Sequence, residues 1–390
     1  MKRKRLRVAG LPLALLLFAL FVASAQAGAA AKPQSNKVKQ AAVLVASATR
    51  ASTGAGKVIR PHGLVVALAI DGSRVAYGAG RIVLWNLSSG KTTKVSGRQT
   101  AGDGNVIELA IAGSQVAWHT NAFGNSENDD YLFTSSLPTP KEQLVAKAFR
   151  YGDACGAATG PGPCVGPWIS GVVASGNRIL VNRWRTSSTG SITHAGLFAL
   201  NRTHFEPVAT GAGTVRAVAG DPKHVVVLQP SGSLGVYSES GKSLFSVTPT
   251  AQAERVALSG RNLVVLEPAG KLALYDTRTG SLRKTFTLHG NPDLLLGWAL
   301  AVQGNIAVYS TPARFSKNTD GESIVSESAI RALNLSTGKD RPVGSLPGHI
   351  TLARMNSFGL VYTNNNWTDK HGYQNKLVFV PFKQVAATVS

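Results

Sequence analysis

LAIDGSRVAYGAGRIVLWNLSSGKTTKV, residues 68–95, decides the fold. It divides into four short strand-like runs separated by Asp-Gly-Ser (71–73), Gly-Ala-Gly (78–80) and Ser-Ser-Gly (88–90). Glycine beside Asp, Asn or Ser supplies the positive φ of a tight hairpin, so the stretch predicts a four-stranded meander with three tight turns. Its parts recur. Apolar strands that follow a Gly/Asn/Asp/Ser turn begin near Val75, Val116, Ile179, Val225, Leu263, Ile306 and Leu360. A Ser/Thr-Gly hairpin closes the third strand four times, in WNLSSGK (85–91), YSESGK (237–242), YDTRTG (275–280) and LNLSTGK (333–339).

Seven copies over residues 61–390 give about 47 residues each, the period of a four-stranded propeller blade. The strands are apolar in unbroken runs, as in LVVALAI (64–70), HVVVL (224–228) and NLVVL (262–266). A blade is covered on both faces by its neighbours, so its inner strands lose the alternation of a half-exposed sheet. Beyond the N-terminal apolar segment no long stretch has a helical period; KEQLVAKAFR (141–150) comes nearest and reads as an outer strand. The expected fold is an all-β, seven-bladed β-propeller, with six or eight blades also compatible with the length. The seventh blade offers three clear strands, ITLARMN (350–356), GLVYTNN (359–365) and NKLVFVPF (375–382). An open ring would expose an edge, so a fourth strand must come from elsewhere. GKVIR (56–60) is the favoured closure and the tail KQVAATV (383–389) its competitor.

The DGSRVAY turn (71–77) and the WNLSSGK and YDTRTG hairpins resemble the TolB, WD40-like and quinoprotein-like propellers, over nearly all of residues 61–390. The resemblance implies a scaffold and no ligand. Trp85-Asn86 and Tyr275-Asp276 stand where a WD dipeptide would, and the sialidase Asp-box and kelch double glycine are missing, so no enzymatic subfamily's residues carry over.

Met1 to Arg7 hold five basic residues, Lys2, Arg3, Lys4, Arg5 and Arg7; Leu11 to Ala23 is an apolar stretch, and Ala25-Gln26-Ala27 offers a small-x-small site. A secretory signal peptide requires this order, so residues 1–27 read as one and the compartment as secreted, periplasmic or cell-envelope. The alternative is an uncleaved anchor, because the uncharged run from Val8 to Ala31 is long enough to span a bilayer. With cleavage no stable membrane span remains, and no cysteine follows to carry a lipid. Residues 28–55 read as a flexible basic linker and 56–390 as a single propeller domain.

The chain has 390 residues, 41 basic against 20 acidic, and a formal net charge of +21. Hydrophobic residues at 44% exclude wholesale disorder. Removing residues 1–27 leaves +16, and from Asp71 onward the excess is +10, spread around the repeats. The remainder favours anionic envelope polymers, while the lack of a basic–aromatic stripe argues against nucleic acid.

In such a meander the first–second and third–fourth turns lie on one face. Second–third turns and links between blades lie on the other. Long insertions fall in the second set, at 119–130, 147–167, 183–195, 311–328 and 363–374, whereas GAGR (78–81), QPSGS (229–233) and EPAGK (267–271) stay tight. Long loops on a rigid scaffold carry binding residues, which points to a site on that face. Cys155 and Cys164, the two cysteines, lie in one insertion and are expected to form a disulfide in an exported chain. Closing their loop is worth ~3 kcal/mol by chain entropy, much of it offset by ordering the loop. Two cysteines without a C-x-x-C spacing exclude a disulfide-framework miniprotein, a multi-cysteine metal site and redox chemistry.

Glu127, Asp129 and Asp130 in SENDD (126–130) offer oxygen ligands for calcium but lack the EF-hand spacing, so a solvated loop is the plainer reading. Asp320 and Glu322 invite a carboxylate-pair idea, against which stands a simple Asp-Gly hairpin tip. Arg183-Trp184-Arg185 suits a sugar or anion by stacking and pairing. If the triplet continues a strand, Trp184 and the arginines point to opposite faces, and packing competes with binding. Trp367, Asp369 and His371 in NNNWTDKHG (364–372) form a second candidate patch. Gly90-Lys91-Thr92 and Gly241-Lys242-Ser243 imitate a phosphate loop but sit on hairpins. No H-x-H, H-E-x-x-H or G-x-S-x-G occurs, so no catalytic residue, metal ligand set or organic cofactor is assigned, and calcium is the one ion considered.

The leading expectation is a monomeric, extracytoplasmic, non-catalytic propeller that binds an envelope protein, peptide or glycan through its long-loop face. The alternative is a secreted enzyme acting on polysaccharide or a small metabolite from a site shared between blades. Convergent carboxylates in the central channel would favour the enzyme; an apolar channel with aromatic loops would favour binding.

Overall fold

The computed structural model describes residues 56–96, 105–123, 127–151, 168–186, 192–210, 216–229, 231–251, 253–290, 299–317, 321, 323–368 and 372–390. They form seven four-stranded antiparallel sheets, and these are the blades of a propeller. Blade one is Ala67–Asp71, Arg74–Gly78, Ile82–Asn86 and Thr92–Lys94; blade two is Asn105–Ala112, Gln115–Phe123, Glu127–Ser136 and Glu142–Tyr151. Blade three is Trp168–Ser175, Arg178–Thr186, Ile192–Asn201 and His204–Thr210; blade four is Arg216–Gly220, His224–Leu228, Leu234–Ser238 and Ser243–Val247. Blade five is Arg255–Ser259, Asn262–Glu267, Lys271–Asp276 and Leu282–Thr287; blade six is Leu300–Gln303, Ile306–Lys317, Ser323–Asn334 and Asp340–Pro347. Blade seven is His349–Met355, Gly359–Asn365 and Leu377–Pro381, with Lys57–Ile59 as its outermost strand.

Burial follows the apolar runs. Asn262–Glu267 is buried along its whole length, while the outer strand Thr92–Lys94 is exposed throughout. The core lies between blades. Val65, Leu68 and Trp85 of the first blade region pack on Val361, Leu377 and Phe379 of blade seven, and Val106, Val116 and Trp118 of blade two pack on Ala67, Ala76 and Ile82 of blade one. Each such fully buried large aliphatic stabilises the ring by about 1.5–3 kcal/mol.

Lys57–Ile59 pairs antiparallel with Leu377–Phe379, so the N-terminal strand closes the ring as expected. Lys57 Nζ adds a bond to the Leu87 carbonyl across the seam. KQVAATV is not a strand. Phe382–Val389 forms a helix whose Val385 and Val389, four residues apart, share one face and bury against Ile330 and Leu360. With the outer place of blade seven filled, packing on the apolar flank of blades six and seven is the way left for this segment to bury its valines.

The first–second turns stitch blade to blade. Asp71 Oδ2 accepts from Gly113 N at 3.1 Å, and Asp221 Oδ2 from Gly260 N at 2.6 Å. Ser175 Oγ donates to the Asp221 carbonyl at 2.8 Å, Ser259 Oγ accepts from Gly304 N at 3.0 Å, and Asn356 Nδ2 donates to the Gly72 carbonyl at 3.1 Å. Asp, Ser and Asn recur in these turns because each interlocks neighbouring blades.

Three insertions differ from expectation. The described parts of 119–130, 183–195 and 311–328 are ladder rather than loop: the second strand passes the inner strand by Ala122 and Phe123 in blade two, by Arg185 and Thr186 in blade three, and by a long two-stranded hairpin in blade six. In blade six, Leu300 pairs with Tyr309, whereas Pro312 to Lys317 pair only with the third strand. Residues 363–374 hold a short hairpin, Trp367–Thr368 with Gly372–Tyr373. Their polar composition disguised them, since an extended ladder needs backbone pairing and no apolar stripe.

Candidate binding face and central channel

The two faces of the ring differ in chemistry. On one, tight turns are committed to blade-to-blade bonds. On the other, the long hairpins of blades two, three and six and the small hairpin of blade seven surround the channel mouth.

The first strands line the channel, and three of them place an ionisable residue at one register level. Glu108 pairs with His119, Arg216 with Leu228 and Arg255 with Leu266, each at the same ladder step above its turn. Glu108 anchors a network across three blades. Its Oε1 accepts from Arg216 Nε at 3.1 Å and Nη2 at 2.9 Å, and its Oε2 accepts from Gly171 N at 2.8 Å. His119 bridges Glu108 Oε2 at 3.2 Å and Asp130 Oδ1 at 2.9 Å, and Asn121 Nδ2 donates to the same Asp130 oxygen at 2.7 Å. Burial opposes charge on Glu108, but the hydrogen bond from His119 and the charge of Arg216 outweigh it and hold the carboxyl at about 2. Burial likewise disfavours imidazolium, yet hydrogen bonds to Asp130 and Glu108 prevail and raise His119 to about 9. At neutral pH the set is two carboxylates, one imidazolium and one guanidinium, with no net charge. The His119 side chain is 3% exposed. Buried and bonded through both ring nitrogens, His119 with its two carboxylates is a clamp that offers no free acid or base.

Gly171 makes the clamp possible. It sits in a bulge of the blade-three inner strand with φ +85°, and a Cβ there would lie 2.4 Å from the Ala217 carbonyl oxygen. Only glycine lets its N–H turn toward Glu108 with blade four so close.

Arg255 and, on the blade-seven inner strand, Arg354 are different. Both are exposed to solvent, yet burial lowers the proton affinity of both. Access to water together with dense surrounding protein describes a side chain inside an open channel. Positive neighbours add to the effect: Arg216 acts on Arg255, and Arg255 on Arg354. Their Nη1 atoms each donate to the preceding residue's carbonyl at 2.9 Å. Among the described residues no carboxylate lies within ion-pair distance of either, although the adjacent Glu254 favours charge on Arg255 from further away. Among the described residues the carboxylate at that level of the wall is Glu108, already paired, and the other two ionisable groups are guanidiniums.

The residues singled out in the sequence scatter. Asp130 is no part of a solvated loop: it is buried in a strand and paired with His119 and Asn121. Asp129, next along the strand, points the other way and accepts from the Tyr131 hydroxyl at 2.7 Å. Glu127 belongs to the same strand. Asp129 and Asp130 therefore do not converge on one cation, and among the described residues no group of three or more His, Cys, Asp or Glu is placed to hold a metal. The Arg-Trp-Arg triplet also divides. Trp184 stacks near Trp168, centroids 6.2 Å apart, and its Nε1 donates to Ser170 Oγ at 2.8 Å. Arg183 lies over the Phe205 ring, 4.0 Å from its centroid, so it packs within the blade, while Arg185 is exposed. Trp367 pairs with Tyr373; Asp369, His371, Asp320, Glu322, Cys155 and Cys164 lie outside the described residues.

A cleft of about 590 Å³ opens on the hairpin face where blades six, seven and one meet. Arg60, His62, Lys376 and Tyr373 are in its wall, and no acidic residue is. Asparagines shape it: Asn375 Nδ2 donates to the Gly63 carbonyl at 2.9 Å, and Asn364 Nδ2 to the Pro347 carbonyl at 2.7 Å. Sequence reading missed both this cleft and the channel arginines. Aligning TVRAVAG (214–220) and AERVALSG (253–260) on their turns leaves Arg216 and Arg255 one place apart, an offset taken up by the bulge between Ala217 and Ala219, so their shared level was not legible in the sequence.

No family model matches the chain, and no curated protein matches it. Among solved structures it is similar to the computationally designed Ika8 protein, at 14% identity and a TM-score of 0.45, over 82% of this chain and 98% of that one. The protein is a seven-bladed β-propeller by its own sheet order.

Proposed function

We propose that the chain is an exported, non-catalytic binding propeller of the TolB- and WD40-like kind, which holds an envelope protein, peptide or glycan on its hairpin face. The observation that carries this reading is the asymmetry of the ring: one face is committed to blade-to-blade bonds, the other bears hairpins that run past the inner strands. Phe315 and Ile324, on the blade-six hairpin, are 45% and 44% exposed, which gives that arm apolar contact surface. The burial and mutual hydrogen bonding of Glu108, His119 and Asp130 argue against acid–base catalysis by those groups. Export is inferred from the basic, apolar and small-residue order of residues 1–27.

The test is a thermal-shift screen of the secreted chain against calcium, neutral and acidic oligosaccharides, and acidic peptides. It is run beside a variant in which residues 313–326 are replaced by a short Asp-Gly turn. A ligand that stabilises the parent and not the trimmed form supports the reading. Equal stabilisation of the two by every active ligand would sink it.

A further inference from the structure

We infer that the central channel is an anion site, in which Arg255 and Arg354, flanked by Arg216, take the oxyanion groups of a multivalent ligand: phosphate, sulfate or clustered carboxylate. The inference rests on the binding reading for the direction of approach alone, from the hairpin face.

Arg216 and Arg255 are the first residues of the inner strands of adjacent blades, at one register level on the wall. Arg354, on the inner strand of blade seven and two ladder steps nearer its turn, is exposed and within electrostatic reach of Arg255. Of the three, Arg216 is already paired with Glu108, with its side chain still 40% exposed. Arg255 and Arg354 have no carboxylate within ion-pair distance among the described residues. Like charges held together in a confined channel destabilise the ligand-free ring. A chain selected for stability alone would place an acid there or lose an arginine, as blade six does with buried Leu300, Ala301 and Val302.

Arginine also fits the ligand. The guanidinium fork pairs in two points with carboxylate or phosphate, keeps its charge where a lysine would lose it, and is weakly hydrated. With two groups unpaired and a third half-satisfied, the site favours a ligand carrying at least two negative charges. On that face Arg60 and Lys376 wall the neighbouring cleft and favour anions on the approach.

The experiment titrates potassium phosphate, sulfate and citrate calorimetrically into the full chain as secreted, at an ionic strength fixed with potassium chloride. The same titrations are run on Arg255→Met, Arg354→Met, the double variant, Arg354→Lys and the hairpin-trimmed form, with Arg278→Met, on an exposed turn of the opposite face, as a surface control. At least one oxyanion is expected to bind the parent. Its Kd should rise tenfold or more in Arg255→Met and in Arg354→Met and less in Arg354→Lys, and stay unchanged in Arg278→Met. The ligand-free Arg354→Met protein should melt no lower than the parent, because a repulsion has gone. Preference for phosphate and sulfate over citrate, or the reverse, separates a phosphorylated or sulfated ligand from a carboxylated one. The inference is overturned if no oxyanion binds the parent, if the double variant binds as tightly as the parent, or if Arg354→Met and Arg354→Lys both melt far lower, which would make the arginine structural. Retention of oxyanion binding by the trimmed form supports the channel site even where the hairpin-face reading fails.

Discussion

His119 shows at the residue scale how a polar run becomes core. Read linearly, HTNAFGNSENDD (119–130) has the composition of a loop, yet His119, Asn121 and Asp130 meet across two paired strands and bury one another's charge. The pH dependence follows from the shifts. His119 is raised from 6.5 to about 9, so its contribution to stability is complete below pH 6.5 and is lost as pH climbs through 9. Glu108 is lowered from 4.5 to about 2, so its contribution is complete above pH 4.5 and is lost as pH falls through 2. Denaturant melts should therefore show a stability plateau between pH 4.5 and 6.5. His119→Gln should lose about 3–5 kcal/mol, because two buried carboxylates then share one cation, and it should lack the alkaline decline. An unaltered pH profile in that variant would mean the imidazole is neutral. Gly171→Ala should cost about 3 kcal/mol or more, from a φ of +85° and the clash with Ala217, and a melt within a degree or two of the parent would refute the bulge geometry.

At the scale of elements, the punctuation of the chain was readable and its polar ladders were not. Turns of Gly, Asn, Asp and Ser mark the start of the second strands, and Ser/Thr-Gly turns close the third strand in four blades, because a tight hairpin favours residues that tolerate positive φ. The need to cover an edge likewise pointed to GKVIR for closure. Truncation to Gly63 should then expose the Leu377–Pro381 edge and give a less stable, self-associating protein, read by its melting point and by light scattering. A monomer of parental stability would show that Lys57–Ile59 contributes nothing. The hairpins of blades two, three and six went unread because strand pairing beyond a core leaves no apolar period to detect. Trimming 313–326 should leave the melting point within a few degrees, since most of that arm lies outside the interblade clusters.

For the molecule as a whole, the basic excess changes meaning once the ring is built. About half of the +21 belongs to residues 1–70, and the rest looked diffuse along the chain. Folding gathers Arg216, Arg255 and Arg354, which are far apart in sequence, into one channel, and a linear scan has no means to see side chains converge from three blades. The seven-fold repeat was legible because it is periodic; the site was not, because it arises where single blades depart from the repeat. Whether these channel arginines bind oxyanions is read out by arginine footprinting. The full chain is treated with phenylglyoxal with and without saturating phosphate or sulfate, and modified arginines are mapped by mass spectrometry. Arg255 and Arg354 are expected to react in the free protein and to be protected by the oxyanion, while Arg202 and Arg278, exposed on turns of the other face, react equally in both. Protection spread evenly over surface arginines, with Arg255 and Arg354 unaffected, would contradict the channel site.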